Sequence, residues 1–338
     1  MTVSAQVVAH SISPEGIPIF SVQVTAHRFI LAEINTHRML SHSYRSSRAV
    51  PSARLIEEVR TTPAMPVFWG ANQPGMQASA ELDDEDAIHQ WRDVARVGLT
   101  QSWNTDGLTR RGITKELWEI AAENAADLAE MMVAEGLHKQ IANRVLEPFL
   151  WVHGIITATE WDNFFGLRLH KSAQPEFRAL ADEMWKVMRA SEPKHLAPGQ
   201  WHLPYTDNIP DDEMAAVYEA AHGDPKRIAD LAIKISVARC ARSSYKSFDT
   251  DKRSTLAEDL ATYAKLNIPG TDQYDPTQPI HASPAEHQAM PDTCMSSGRT
   301  AIWGHERLWG NFQGWIQYRK TLKGEACAPT PEGYDVRQ

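Results

Sequence analysis

Cysteine is scarce and dispersed: Cys240, Cys294 and Cys327 are the only three in 338 residues, and no two form a CxxC pair. That spacing excludes a zinc ribbon and a disulfide framework, and it suits a reducing cytoplasm. No apolar run approaches about 18 residues, so no membrane-spanning helix is expected. Positive charge is also short, with 34 Lys and Arg against 43 Asp and Glu and a formal net charge of −9. A broad basic face for long nucleic acid is therefore not expected, whereas a pocket for a small phosphorylated ligand stays open. Three signatures are missing: the GxxxxGK(S/T) phosphate loop, a GxGxxG turn after a strand, and the HExxH zinc helix. The opening stretch, MTVSAQVVAHSISPEG, has neither the basic start nor the apolar run of a signal peptide.

What is present reads as an α+β protein, mostly helical. PIFSVQVTAH alternates Phe20, Val22 and Val24 with polar or small residues, the pattern of a half-buried strand. Residues 61–80 carry three prolines and two glycines and read as a long loop. A helix is expected over 83–103 from its acidic first turn, and a longer helical region over 113–146. In the latter, Leu117, Ile120, Ala121, Leu128 and Met131 are spaced as one apolar face, interrupted by Asn124. Thr157 and Glu160 stand at capping-box spacing, as do Thr255 and Glu258. Pro175 suits the first turn of a helix through Phe177, Leu180, Ala181, Met184 and Val187. Residues 197–213 look like a linker, and Asp224-Pro225 opens a further helix. A second loop precedes a tryptophan-rich end.

The chemistry-bearing stretch is NTHRMLSHSYRSSRAVP, residues 35–51, an island of arginine, histidine and serine without a carboxylate. Arg38, Arg45 and Arg48 offer forked donors to an anion, and Ser41, Ser43, Ser46 and Ser47 add short hydroxyls. Composition alone equally allows a solvated turn with surface ion pairs. Arg168, flanked by Phe164, Phe165 and Leu167, is either paired with a carboxylate or kept for a ligand. His281 and His287, six apart with a proline between, are poorly spaced as ligands on one helix, and no metal is expected.

Together these stretches resemble the flavin-dependent thymidylate synthases of the ThyX type. Along the family signature RHRxxSxNxxSxRY, Thr36-His37-Arg38 stands at RHR, with Ser41, Ser46 and Arg48 at the two serines and the last arginine and the spacing from Arg38 to Ser46 kept. A second block, NxRxLxHFLxLRxxxxAQxEIR, is met by Phe164, Leu167, Arg168, Ala173, Gln174, Glu176 and Arg178, with Asn163 at the His position. CARSSY at 240–245 and SPAEH at 283–287 resemble blocks that usually precede the RHR signature, so the order resembles a circularly permuted, phage-type member.

The resemblance implies one catalytic domain over 1–338 with a ThyX-like mixed sheet and long helices. A helical insertion at about 80–135 and a flexible tail at 325–338 complete that expectation. It implies conversion of dUMP to dTMP, with methylenetetrahydrofolate as carbon donor, FAD as hydride carrier and NADPH as reductant. Ser46 and Arg168 are the implied catalytic residues. Ser46, Ser47, Arg48, Arg144 and Arg168 would line the pyrimidine deoxynucleotide monophosphate. His37, Arg38, Asn163, Ser244 and His287 would contact FAD. A homotetramer with inter-subunit sites is implied, positions 37–48 meeting Arg168 across an interface. The expected location is the cytoplasm, the host's for a phage-encoded chain. Departures at Thr36, Ser43, Tyr44, Ala49, Thr157, Thr159 and Ser172 keep dCMP as substrate, or a hydroxymethyl product, as alternatives. A non-catalytic nucleotide- or RNA-binding protein is the alternative from another class.

Overall fold

The central strand of the main sheet is the one the alternation marked. β2 (Pro18–His27) pairs antiparallel with β1 (Ser4–Ile12) on one side and with β4 (Trp151–Ala158) on the other. The computed structural model describes residues 1–82, 109–207, 209–243, 254–269, 271, 273–297 and 300–325. The expected helix at 83–103, Ser244, and the tail from 326 onward lie outside the described residues. β3 (Ser41–Tyr44) pairs antiparallel with β4, and the short β5 (Lys194–His195) pairs parallel with β1, giving the mixed order β3-β4-β2-β1-β5. The turn from β1 to β2 closes with Gly16 N–H donating to the Ser13 carbonyl, and its φ of 80° is one that glycine adopts without a Cβ penalty.

The two sheet faces differ in chemistry. On one, Val22, Val24, Ala26, Val152 and Ile156 pack under Trp161, Phe164, Phe165, Phe177, Leu180 and Met184. Those covering residues come from α5 (Asp162–Arg168), the chain just before it, and α6 (Pro175–Arg189). Pro175 stands in the first turn of α6 as expected, and the Gln174 side chain caps it by accepting from Phe177 N–H. The other face carries Ser11, Ser21, Thr157, Ser41 and Ser43, all buried. It is roofed by the C-terminal part of the chain, including residues 202, 287 and 317. With both faces covered, β2 is more buried than a half-exposed strand.

A second core joins α2 (Ser52–Thr61) to α3 (Arg110–Ala134) and a 3-10 turn at Asn143–Phe149. The face that α3 buries is not the expected one. Ala122, Ala125, Ala126 and Ala129 meet Leu55, Ile56 and Val59, while Leu128 and Met131 are 51% and 63% exposed. A stripe of alanines lets α2 approach closely, which larger side chains would prevent. The helix also ends sooner than expected: Gly136, at φ 88°, takes the left-handed position after Ala134, and Leu137 N–H returns to the Met132 carbonyl. A short helix, α4 (Lys139–Ala142), follows.

The C-terminal half adds α7 (Asp211–Ala220), α8 (Pro225–Ser243) and α9 (Leu256–Ala264). Thr255 and Glu258 make the expected capping box on α9. Thr157 and Glu160 do not make theirs, because Thr157 belongs to β4 and α5 starts after Trp161 without a side-chain cap. The expected linker is irregular up to α7, yet His202 within it is only 1% exposed. Among the described residues, no helix is long and apolar enough to cross a membrane.

Candidate functional site

The arginine island wraps both ends of β3. Before the strand, His37 N–H donates to the Ile34 carbonyl and Leu40 N–H to that of His37, which turns the chain into Ser41. After it, a turn at 46–49 is fixed from below by Asn143, whose buried Nδ2 donates to the carbonyls of Ser47 at 2.7 Å and Val50 at 3.2 Å. Between them β3 lies close on β4: a Cβ on Gly154 would overlap the Tyr44 ring and press on the Ser43 carbonyl.

At the C-terminal end of β3 most of the positive charge is already spent. Arg45 is 7% exposed, and its Nη2 donates to both carboxylate oxygens of Glu58 at 2.7 Å. Arg45 is therefore a buried ion-pair member and not an anion clamp. Glu147 gathers three donors: Ser47 Oγ at 2.6 Å, Arg144 at 2.7 Å and Arg28 at 3.0 Å. Burial alone would raise the Glu147 carboxyl, but these donors outweigh it and hold it below the usual range. The resemblance implies Ser47 and Arg144 as nucleotide contacts; in the structure both engage Glu147, with the Arg144 side chain half-exposed. Arg48 alone at this end is exposed and has no carboxylate partner among the described residues, while its N–H donates to Ser46 Oγ at 3.3 Å.

The N-terminal end of β3 is different. Arg168, the last residue of α5, lies with Cζ 4.3 Å from the centroid of the Phe177 ring, and its Nε donates to His37 Nε2 at 2.7 Å. A nitrogen that accepts carries no proton, so His37 is neutral and protonated on Nδ1. Burial, then the Arg168 charge, both lower the His37 pKa, in agreement with that tautomer. The His37 ring stands edge-on to Phe164 and Phe177, at centroid distances of 5.1 and 5.8 Å. No carboxylate lies within ion-pair distance of Arg168 among the described residues, and its remaining fork makes only one contact, to Thr36 Oγ1 at 3.5 Å. Desolvation draws its pKa down, with Glu33 opposing, yet a guanidinium stays charged. The contact between His37 and Arg168 forms within one chain, which corrects the expectation that position 37 reaches 168 only across subunits. Arg38 and Asn163 are exposed, with no side-chain partner among the described residues.

His287 lies between β3 and β4, fully buried, with both ring nitrogens engaged. Nε2 meets Ser43 Oγ at 3.0 Å and Nδ1 meets Thr157 Oγ1 at 2.9 Å. The fold thus carries SPAEH to the arginine island, while the His287 ring itself is enclosed. Ser41 is likewise anchored, donating to Asn311 Oδ1 at 3.0 Å and accepting from Gln317 at 3.3 Å. His202, Asn311 and Gln317 were not marked by sequence reasoning. The available signal was the row of hydroxyl residues, Ser21 and Thr157 among them, on strands whose opposite face is apolar.

The distance between the two ends follows from the strand. Four residues at about 3.3 Å each put roughly 13 Å of β3 between the Arg168–His37 pair and the turn that bears Ser46 and Arg48. The arrangement offers one half-buried, unneutralised arginine backed by aromatic rings, and exposed arginines flanking it.

The family model of thymidylate synthase complementing proteins matches residues 9–194. No curated protein matches the chain. Among solved structures, a UMP/dUMP methylase, PolB, from Streptomyces cacaoi, bound with 5-Br UMP, is similar at a TM-score of 0.37 and 14% identity; the match covers 56% of this chain and 89% of that one. Thymidylate synthase X from Helicobacter pylori, with FAD and dUMP, is similar at a TM-score of 0.30 and 15% identity, covering 50% of this chain and 67% of that one.

Proposed function

The chain belongs to the thymidylate synthase complementing protein family, and from that premise we propose that it is a flavin-dependent enzyme that methylates a deoxyuridylate-like nucleotide. Its substrate is dUMP, its carbon donor methylenetetrahydrofolate, and its reductant NADPH acting through FAD. The observation that carries this reading is Arg168: a charged side chain backed by Phe177 and pinned by His37, with no carboxylate within ion-pair distance among the described residues. Leaving a partly buried cation unneutralised costs stability unless a ligand completes it.

The residues fit a bound dinucleotide cofactor and a phosphorylated substrate. In a chain of net charge −9, Arg38, Arg48 and Arg168 all lack carboxylate partners among the described residues, as phosphate and ring-oxygen ligands require. FAD, when bound, supplies hydride transfer, chemistry that no side chain offers. Arg38 and Asn163 are the residues that would hold it, with His37 contributing through Arg168. Arg168 would stabilise negative charge held on the pyrimidine ring, the charge that makes C5 nucleophilic and is discharged as C5 bonds to the carbon donor. His37 fixes the direction of that guanidinium, and Phe164 and Phe177 keep water from its apolar side. Arg48 binds the nucleotide phosphate, and Ser46 orients the ring beside it.

Arg48 and Arg168 sit at opposite ends of β3, which supports a site completed between copies in a homotetramer. Exposed Leu128, Met131, Leu137 and Ile141, along α3 and α4, supply an apolar surface for a second copy. The contact of His287 with Ser43 supports the rotated block order, since it brings a late segment to an early one. The test is reconstitution: purified protein should turn yellow with FAD, bleach with NADPH, and consume dUMP in the presence of methylenetetrahydrofolate. Turnover of dCMP instead would move the substrate, and a hydroxymethyl product would change the fate of the carbon. Protein that stays colourless with excess FAD, and yields no nucleotide product, overturns the reading in favour of a non-catalytic nucleotide binder.

A further inference from the structure

The polar face of the sheet carries six buried side chains whose polar atoms touch in series. Ser11 Oγ meets His202 Nδ1 at 2.9 Å, and His202 Nε2 meets Ser21 Oγ at 2.9 Å. Ser21 Oγ lies 2.6 Å from Thr157 Oγ1, which lies 2.9 Å from His287 Nδ1; His287 Nε2 then meets Ser43 Oγ at 3.0 Å. The file crosses β1, β2, β4 and β3 in spatial order, with the histidines supplied by two separate C-terminal segments. Exposure is 3, 1, 0, 0, 0 and 7% from Ser11 to Ser43, so Ser43 has the widest opening.

Proton counting restricts this file sharply. Each hydroxyl owns one proton, and a neutral imidazole owns one ring proton, on either nitrogen. Desolvation lowers the pKa of both His202 and His287 to about 3, so both rings are neutral. In one arrangement Ser11 donates to His202, which donates from Nε2 to Ser21, then Thr157, then His287 Nδ1, and His287 donates from Nε2 to Ser43. In the other every donor is reversed and both rings carry the proton on Nδ1. A mixed pair of tautomers points either two protons or none between Ser21 and Thr157. At 2.6 Å that is a proton clash or a bare contact of two oxygens, between hydroxyl residues that are both fully buried.

We propose that Ser11, His202, Ser21, Thr157, His287 and Ser43 form one directional relay whose two histidines always share a tautomer, and that the sense of the relay sets whether Ser43 donates to or accepts from a ligand at the arginine island. A ring carbonyl, as in isoalloxazine or a pyrimidine, selects the first sense and draws both histidines to the Nε2–H form. Thr157 is then a positioning residue: it touches no ligand and acts through His287 and Ser43. The ligand half of this inference rests on the proposed function; the shared tautomer does not.

Nitrogen-15 resonance of histidine-labelled full-length protein, with His202→Gln and His287→Gln used for assignment, reads the tautomers directly. The expected result is the same tautomer at both rings, moving to Nε2–H on saturation with FAD or dUMP. Opposite tautomers overturn the relay. Thr157→Val keeps the shape and removes the central hydroxyl; it should uncouple the two rings and weaken FAD or dUMP binding about fivefold, the worth of one net hydrogen bond. Thr157→Ser should restore both. Unchanged affinity for both probes in a folded Thr157→Val protein overturns the ligand half. Wild-type protein that binds neither probe sinks the functional reading and leaves the tautomer result standing.

Discussion

The two ends of β3 treat their arginines in opposite ways. After the strand, Arg45 is sealed against Glu58 and Arg144 is paired with Glu147. Before it, Arg168 meets a neutral histidine and an aromatic face. The contrast teaches that an island of like charge is not itself a binding site. Carboxylates supplied from elsewhere in the fold decide which cations remain available.

The sharpest way to break the comparison is to delete one member from each end. Arg45→Ala leaves Glu58 buried and unpaired, and should cost about 3–5 kcal/mol of stability, read from the urea midpoint. Arg168→Ala should lower kcat about 10²–10³-fold while the urea midpoint barely moves. Reversed results, with Arg45 sensitive in activity alone and Arg168 in stability alone, would exchange the roles of the two ends.

The polar face gives a pH signature that the apolar face lacks. His202 and His287 have folded pKa values near 3, below the unfolded value of 6.5. After burial, the charges that would sit on His10 and His287 disfavour protonation of His202, and that of His42 disfavours protonation of His287. A depressed histidine contributes stability that is fully present above about pH 6.5 and is lost as pH falls toward 3. Each should contribute up to about 1.4 kcal/mol per pH unit near pH 5. Urea midpoints at pH 7 and pH 5 check this, and His287→Gln should shallow the slope. The smallest effect is expected at Arg60, whose fork reaches Glu123, Asp127 and Glu130 on the surface between α2 and α3. Arg60→Ala should move the urea midpoint least of these variants, and that effect should vanish in high salt.

Local features were legible in the sequence because their causes are local. The alternation of β2, the Pro175 start of α6 and the Thr255–Glu258 box on α9 each rest on neighbouring residues. The buried face of α3 was not legible, since close approach by α2 favours alanines over the larger residues that periodicity counts. In the candidate site, motif spacing singled out Arg168, Arg48 and His37, and the fold leaves both arginines without an ion-pair carboxylate among the described residues. Arg45 and Ser47 meet Glu58 and Glu147, 13 and 100 residues away, separations that no local pattern reports, whereas the Arg144–Glu147 pair, three residues apart, was legible in the sequence. His202 was hidden for the converse reason: it sits in irregular chain, and only the sheet it covers gives it partners.

The account turns on Arg168 as the cation that waits for a pyrimidine. Protein loaded with FAD and supplied with NADPH, methylenetetrahydrofolate and dUMP, followed by mass analysis of the nucleotide, tests that most directly. The account predicts dTMP from the wild type and almost none from Arg168→Ala at equal flavin content. Equal product from both proteins, or no altered nucleotide from a wild type that holds flavin, would contradict it.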